Sequence, residues 1–407
     1  MNSERFVIVG ASIGGMTAAE ELRKLTDAEI VLIDGDPDAP YDKTALSKAA
    51  LLDETVPDIG MRSAEEFDAR KITVLAGRWA TALDAAAHEL MLDDGERLHY
   101  SKLLIAAGAF PMVPFPVSDG ANVHVLRTLD DARGLHAAFR DGTPHVTVIG
   151  SGLIGCEVAS AARNLGLPTL LISVDTGPFS IVLGSDAADF IADAQDSAGL
   201  DTRYNAQVKG ITLDETTGKT RIELGEGDAL VTDIILAGTG VRPSTAWLES
   251  SGMRFDRGIL CAEDLQTSLP DVYAIGDIAR WPGGPFGELV RLEHWTNASD
   301  QGAHIAHVLA TGSPARGADL PLPFFSSQLH GNRVASIGFP AQAEQTAAFR
   351  DDGRMLVLYG KNEQLIGALV VNNTALLARF TPLVQERISW QDALAAAAAV
   401  APVGVTA

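Results

Sequence analysis

The stretch VIVGASIGG at residues 7–15 decides the fold of the first part of the chain. The apolar run 6–9 predicts a buried strand, and the pattern GxSxxG that follows it predicts a tight turn into a helix. Apolar residues recur near the helical period between 14 and 25, and residues 29–33 predict the next strand. The segment therefore indicates a βαβ unit whose helix start faces a pyrophosphate.

A second unit of the same kind begins with VTVIGSGLIG at residues 146–155, where the pattern GxGxxG is complete. Residues 145–149 predict its first strand, 154–165 its helix and 169–172 its second strand. Two dinucleotide-binding turns in one chain imply two nucleotides held at once. The commonest reason for this is a flavin enzyme that takes a hydride from a nicotinamide.

The first turn carries a serine where the pattern usually has its second glycine. Serine is small enough for the backbone to approach a phosphate, so the turn still predicts a nucleotide site. The strand that follows should end in an acid that binds a ribose, and Asp34 and Asp36 are both candidates. We expect four residues of the turn to contact the nucleotide: Gly10, Ser12, Gly14 and Gly15.

The second turn leaves the choice of nicotinamide nucleotide open. The position expected to carry its ribose-binding acid is Ser173, and Asp175 could take that role from two residues further on. No arginine lies close enough in sequence to indicate a 2′-phosphate site, so NADH is favoured and NADPH stays possible. The turn residues expected at this site are Gly150, Gly152, Leu153, Ile154 and Gly155.

Two similar segments, KLLIAAG at 102–108 and IILAGTG at 234–240, each predict a buried strand that ends in a turn of small residues. We interpret them as the exits from the first nucleotide domain and back into it. The residues expected to lie near the nucleotides there are Ala107, Gly108, Gly238 and Gly240. Gly276 and Asp277, after the apolar run 272–275, are expected to close the first nucleotide site.

The sequence thus predicts an α/β fold with two Rossmann-like domains, the second inserted in the first, and an α+β C-terminal domain. The predicted boundaries are 1–110 with 240–320 for the first domain, 111–239 for the second and 321–407 for the third. Short alternating strands and a final helix near 373–386 mark the third, which we interpret as an interface domain.

Composition narrows the class of protein. The formal net charge of −22 argues against nucleic acid as a partner. All of that excess lies before residue 321, because the charges balance after it; a neutral surface there would suit an acidic protein partner. No stretch is long and apolar enough to span a bilayer, and no signal peptide is visible, so we expect a cytoplasmic protein. Cys156 and Cys261 form no Cys-x-x-Cys pair, which excludes dithiol chemistry and a thiolate metal site.

Two further segments carry chemistry, PYDKTALSK at 40–48 and EHWTNASDQG at 293–302. A lysine in a flavin pocket stabilises negative charge on the reduced ring, and a tryptophan can stack on it. Together with the two turns and the Gly-Asp pair, these segments resemble the FAD-dependent ferredoxin reductases, including those that serve Rieske-type dioxygenases. The wider fold is that of glutathione reductase, and the resemblance covers about residues 6–372.

The resemblance implies that NAD(P)H reduces FAD, which passes single electrons to a [2Fe-2S] ferredoxin that supplies an oxygenase. It implies that Lys48 lies beside the flavin and pairs with Glu157 near the nicotinamide, and that Trp295 lies near the isoalloxazine. Asp277 would bind the ribityl or phosphate part of FAD. The other residues that the motifs bring to the flavin site are Lys43, Glu293 and His294.

Three residues depart from the family pattern, and the last two of them concern the electron acceptor more than the donor. Lys43 stands where the family usually has an arginine, so the charge stays and the planar fork is lost. Ser326 and Gln328 stand where the family tends to have Trp and Asp. A rubredoxin reductase or an NADH oxidase of the diaphorase type therefore stays open, as does a redox interaction protein like apoptosis-inducing factor. We expect a monomer or a weak homodimer.

Overall fold

A computed structural model describes residues 4–313, 320–351, 353–400 and 405–406. The chain forms two compact units, each built from three stretches of sequence. The first unit comprises Met1–Thr44, Asp58–Phe110 and Arg242–Pro323. The second comprises Ala45–Pro57, Pro111–Val241 and Phe324–Ala407.

The first unit is organised by a five-stranded parallel sheet with the order β19-β7-β1-β2-β3. Its central strand is buried from Phe6 to Val9, as a parallel sheet covered on both faces requires. The five strands are β1 (Arg5–Val9), β2 (Glu29–Asp34), β3 (Ile72–Ala76), β7 (Lys102–Ile105) and β19 (Val272–Ala274).

Smaller elements complete the first unit. An antiparallel sheet is formed by β4 (Ala80–Asp84), β5 (Glu89–Leu92) and β6 (Arg97–His99). A short parallel pair is formed by β18 (Ile259–Leu260) and β20 (Ala279–Arg280). The α-helices are α1 (Ile13–Leu25), α3 (Ala64–Ala69) and α7 (Trp295–Thr311). Further short strands, at the points where the chain passes between units, are β8 (Ala109–Pro111) and β17 (Val241–Pro243).

Helices α1 and α7 pack closely because glycines face each other at the crossing. A Cβ at Gly302 of α7 would lie 2.5 Å from the carbonyl oxygen of Gly14 in α1. A Cβ at Gly14 would lie 3.1 Å from the carbonyl oxygen of Ala298. This packing fixes the start of α7 beside the start of α1, where the first glycine turn opens.

The second unit contains a parallel sheet with the order β12-β11-β10-β16-β9. Its strands are β9 (Val123–His124), β10 (Val146–Ile149), β11 (Thr169–Ile172), β12 (Asp201–Arg203) and β16 (Ile234–Ala237). Buried isoleucines such as Ile149 and Ile235 pack against Ile211 and Ile222 of a small antiparallel sheet. That sheet comprises β13 (Val208–Asp214), β14 (Lys219–Leu224) and β15 (Ala229–Thr232).

A six-stranded antiparallel sheet lies in the same unit, with the order β21-β22-β25-β24-β23-β26. Its strands are β21 (Phe324–Leu329), β22 (Asn332–Gly338), β23 (Gln345–Asp351), β24 (Arg354–Lys361), β25 (Gln364–Val371) and β26 (Val405–Thr406). The helices of the unit are α2 (Ala49–Leu52), α4 (Leu129–Phe139), α5 (Leu153–Asn164), α6 (Ser180–Ser197), α8 (Thr374–Gln385) and α9 (Trp390–Ala398). Short 3-10 turns across the chain cover Lys43–Ala45, Gly225–Gly227, Ala246–Ser251, Gly276–Ile278 and Pro340–Gln342.

The two parallel sheets confirm the predicted fold class. One detail differs from the predicted domain boundaries: residues 45–57 group with the second unit, together with 324–407. The division into three domains by function stays a prediction. None of the helices in the described part of the chain is long and apolar enough to cross a bilayer.

Candidate dinucleotide sites

The first turn is built so that only glycine fits at two of its positions. Gly10 has φ +108°, and a Cβ there would lie 2.3 Å from the carbonyl oxygen of Ala106. A Cβ at Gly15 would lie 1.9 Å from the carbonyl oxygen of Gly10. Both distances are far below van der Waals contact, so the turn and the helix start can come this close only without side chains.

Ser12 fits the turn for a reason that the structure makes plain. It is the N-cap of α1 with φ −75° and ψ −176°, an extended conformation open to any residue. Gly152 holds the same position in the second turn with φ −78° and ψ −170°. A Cβ at Gly152 would meet nothing within 4 Å, so this position does not need glycine for backbone reasons.

The two candidate acids at and just after the end of β2, Asp34 and Asp36, have different hydrogen-bond partners. Asp34 accepts hydrogen bonds from the backbone N–H of Ala11 at 2.8 Å and of Asp36 at 3.0 Å, which ties β2 to the turn. Burial raises the pKa of Asp34, partly offset by these two bonds. Asp36 accepts from the hydroxyl of Tyr41 at 2.5 Å, and its carboxylate lies 3.8 Å from the Lys43 ammonium. Lys43 in turn lies over the Tyr41 ring, 4.5 Å from the centroid.

A cavity of about 380 Å³ opens beside this turn within the first unit. Gly10, Asp34 and Ala107 line it, together with the aromatic residues Trp79 and Phe110. The two rings are 6.0 Å apart at 32°. Flat aromatic walls with a few backbone polar groups fit a planar heteroaromatic ring such as adenine.

The residues present also fit the remainder of FAD. Among the buried side-chain polar atoms that have no hydrogen-bond partner in the described residues are Asn297 Nδ2, Gln301 Nε2 and Ser244 Oγ. Asn297 and Gln301 lie one turn apart near the start of α7, and Gln301 Oε1 accepts from the Gly276 N–H at 2.7 Å. A buried donor without an acceptor is costly, and a ligand rich in carbonyl, hydroxyl and phosphate oxygens would supply the acceptors.

The remaining residues predicted for the flavin are spread around the same helix start. Gly276 has φ +71° and begins the short 276–278 turn, and the carbonyl of Asp277 accepts from Arg291 at 3.0 Å. His294 is the N-cap of α7, and burial lowers its pKa. Trp295 is 40% exposed as the first residue of α7. Three other predicted residues make contacts within the protein. Glu293 is exposed and pairs with Arg291, and the Gly108 carbonyl accepts from the Ser244 N–H. Gly14 packs against α7.

The second turn repeats the geometry of the first in the second unit. Gly150 has φ +108°, and a Cβ there would lie 2.2 Å from the carbonyl oxygen of Gly238. A Cβ at Gly155 would lie 1.9 Å from the carbonyl oxygen of Gly150. Leu153 and Ile154 begin α5 with about a third of their surface exposed. Gly240, at φ +96°, lies in the exit loop and accepts from the Met112 N–H.

Ser173 does not present itself to a ligand, although it stands where a ribose-binding acid is expected. It is 3% exposed, and its hydroxyl lies 2.9 Å from the Ser151 hydroxyl and 3.2 Å from Asp175 Oδ2. Ser151 lies inside the glycine turn and is itself 3.4 Å from Asp175 Oδ2. Two hydroxyls therefore hold the half-buried Asp175 carboxylate beside the turn.

The ion pair implied by the resemblance is present in the second unit. Lys48 Nζ lies 2.8 Å from Glu157 Oε1, and Glu157 is almost fully buried on α5. Sequence reasoning missed two further donors to the same carboxylate. Ser47 donates to Oε2, and Ser327 donates to Oε1 at 2.5 Å. Ser327 carried a signal, since it lies between the two residues that depart from the family pattern.

Those two departures lie on the other face of the strand. Ser326 and Gln328 of β21 are exposed, whereas Ser327 is 4% exposed. Successive side chains of a strand point to opposite faces, so the residues that changed do not contact the Lys48–Glu157 pair.

Neither cysteine is placed for redox chemistry. Both are buried, and burial raises the pKa of each thiol, that of Cys261 to about 12 and that of Cys156 higher still. The thiolate is the reactive form, so these thiols are inert near neutral pH.

Comparison with known proteins assigns the family. Residues 4–302 match the family model described as pyridine nucleotide-disulphide oxidoreductase. The chain belongs to this family. Within it, a p-cumate 2,3-dioxygenase system ferredoxin–NAD(+) reductase component from Pseudomonas putida is 31% identical over 390 residues, covering 95% of this chain and 94% of that protein. Rhodocoxin reductase from Rhodococcus erythropolis is 30% identical, with 95% and 92% covered.

A solved member of the pyridine nucleotide-disulphide oxidoreductase fold shows the same architecture over nearly the whole chain. The crystal structure of the covalent putidaredoxin reductase–putidaredoxin complex superposes with a TM-score of 0.89 at 27% identity, covering 95% of this chain and 94% of the other. These comparisons confirm the resemblance to the ferredoxin reductases that the motifs indicate.

Proposed function

We propose that this oxidoreductase takes a hydride from NADH into bound FAD and passes the electrons one at a time to a [2Fe-2S] ferredoxin that supplies an oxygenase. The observation that carries the proposal is the pair of dinucleotide-binding turns in one chain, with Gly10 and Gly150 both at φ +108°. A relative named as the ferredoxin–NAD(+) reductase component of a p-cumate 2,3-dioxygenase system matches 95% of its length. When bound, FAD supplies the conversion of a two-electron donor into a one-electron donor.

The first unit would hold FAD. The Gly10–Gly15 turn would direct the backbone amides of α1 at the pyrophosphate, and Asp34 keeps that turn closed against β2. The cavity walled by Trp79 and Phe110 would take the adenine. The amides of Asn297 and Gln301 would donate to oxygens of the cofactor, and the Asp277 carboxylate would accept from its ribityl hydroxyls. Trp295 would lie against the ring system.

The second unit would hold NADH at the Gly150–Gly155 turn, with Asp175 on the adenine ribose. A ribose diol donates two hydrogen bonds that a carboxylate accepts, whereas a 2′-phosphate would face the same negative charge. Lys48 would supply positive charge for the hydride transfer, and Glu157 holds its ammonium in place.

The test begins with anaerobic stopped-flow reduction of the purified flavoprotein by NADH. We expect rapid bleaching of the flavin absorbance. In steady state, cytochrome c reduction should then require an added [2Fe-2S] ferredoxin. Failure of NADH and NADPH alike to bleach the flavin would contradict the proposal. We further propose that the protein is cytoplasmic and acts as a monomer or weak homodimer. Sedimentation velocity would test the oligomeric state.

A second candidate is a rubredoxin reductase or a diaphorase-type NADH oxidase. Ser326 and Gln328 favour it, because they change the exposed face of β21 where the family tends to carry Trp and Asp. Rubredoxin used as the acceptor in the same cytochrome assay distinguishes the two. Turnover with rubredoxin but with no ferredoxin would favour this second candidate, and so would NADH oxidation by oxygen alone at the full rate.

A further inference from the structure

The Glu157 carboxylate is held by three donors that come from distant parts of the sequence. Ser47 donates to one oxygen, and Ser327 and the Lys48 ammonium share the other. Ser47, Ser327 and Glu157 are each less than 5% exposed. A buried carboxylate is stable as an anion only when its oxygens are well supplied with donors, and here every donor is a side chain.

The position of Ser327 is set by a rigid frame. Strand β21 is in register with β22, where Ser327 stands opposite Val334, so the sheet fixes the face to which the Ser327 side chain points. A second hydrogen bond links the turn after β21 to α5: the His330 N–H donates to Ser160 Oγ at 3.0 Å. The C-terminal sheet therefore contacts α5 at defined points, one of which is the Glu157 carboxylate.

The Lys48 ammonium pairs with Oε1 of the carboxylate that these serines hold, at 2.8 Å, and its side chain is 40% exposed. A lysine ammonium sits on a flexible four-carbon chain, so a fixed charged partner limits where it lies. The orientation of Glu157 therefore contributes to the position of the positive charge of Lys48. That orientation depends on the two serine hydroxyls, since each binds a different oxygen of the carboxylate.

We propose that Ser327 is a positioning residue for flavin reduction: its hydroxyl fixes Glu157, which fixes the Lys48 ammonium. The proposal rests on the proposed function only in assigning Lys48 to the hydride-transfer step. It gives the C-terminal strand β21 a part in the reaction with the nicotinamide, in addition to any part it has with the electron acceptor.

The test compares Ser327→Ala with Ser326→Ala, its exposed neighbour on the same strand, after FAD content and thermal melting are matched. We expect Ser327→Ala to slow flavin reduction at saturating NADH about tenfold, the effect of losing one hydrogen bond to a charged group. NADH affinity should change less than the rate, and Ser326→Ala should behave as the parent does.

A double-mutant cycle separates positioning from general damage. In a Lys48→Met background, Ser327→Ala should slow reduction by less than about twofold, because the two residues act through one carboxylate. An unchanged tenfold loss in that background would overturn the proposal, as would a parental rate in the single Ser327→Ala variant.

A second measurement does not depend on activity. The rate at which acetic anhydride acylates Lys48, measured by mass spectrometry relative to the exposed Lys24, should change in Ser327→Ala and not in Ser326→Ala. Equal Lys48 reactivity in parent and both variants would overturn the proposal. Failure of the parent flavin to be reduced by any nicotinamide would instead contradict the proposed function, while the acylation result would still decide whether Ser327 holds Lys48.

Discussion

Replacement of Asp175 by alanine should change which nicotinamide nucleotide the protein binds. The carboxylate is half-buried beside the second glycine turn, and the hydroxyls of Ser151 and Ser173 orient it. In the described part of the chain, this carboxylate is contacted by those two hydroxyls, and no lysine or arginine forms an ion pair with it. It is therefore suited to accept from a ribose diol and to repel a 2′-phosphate.

The magnitude follows from one hydrogen bond to a charged acceptor, about 1.5–3 kcal/mol, which corresponds to roughly ten- to a hundredfold in affinity. Asp175→Ala should weaken binding of ADP-ribose by at least about tenfold. Binding of 2′-phospho-ADP-ribose should stay the same or tighten, since like charges at contact distance repel by up to about 4 kcal/mol near a protein surface. The preference for ADP-ribose over the 2′-phosphorylated probe should therefore fall by at least as large a factor as the affinity for ADP-ribose falls.

Isothermal titration calorimetry with these two probes measures the effect without reducing the flavin. Asp201→Ala is the matched control, because it removes the same charge from the exposed start of β12. Arg203, at the other end of β12 and opposite Ile172, is the competing determinant. The reasoning is refuted if Asp175→Ala binds ADP-ribose as tightly as the parent does. It is also refuted if the parent prefers the 2′-phosphorylated probe and Arg203→Ala removes that preference.

Three further changes have defined outcomes. Lys48→Ala should slow flavin reduction by NADH at least about tenfold while FAD content stays at the parental level, and equal stopped-flow rates would remove Lys48 from the mechanism. Gly155→Ala should abolish nucleotide binding or folding, because its Cβ would lie 1.9 Å from a carbonyl oxygen. Gly152→Ala should fold with a parental melting temperature. Equal circular dichroism melts for the two variants would contradict the steric argument. Cys156→Ala should reduce its flavin within about twofold of the parental rate, since burial raises the pKa of this thiol and keeps it unreactive. For the same reason the parent should not reduce glutathione disulfide at a rate comparable to that with cytochrome c.

The glycine turns could be predicted because their determinants are local. Gly10 and Gly150 each need φ +108°, and the following strand and helix are readable from short-range periodicity. The grouping of residues 45–57 with the second unit could not be read in this way. Nor could the contacts of Glu157, whose partners Ser47 and Ser327 lie 110 and 170 residues away and are serines with no pattern of their own.

Neighbouring residues of strand β21 contact different surroundings, so substitutions at adjacent positions have different effects. Ser326, Ser327 and Gln328 are consecutive, yet their side chains alternate between solvent and the buried Glu157. A change at 326 or 328 alters the exposed face without disturbing the carboxylate, and a change at 327 does the reverse. Under the proposed function, the face of β21 that would meet the electron acceptor can therefore vary at two positions while Ser327 between them keeps its hydrogen bond to Glu157.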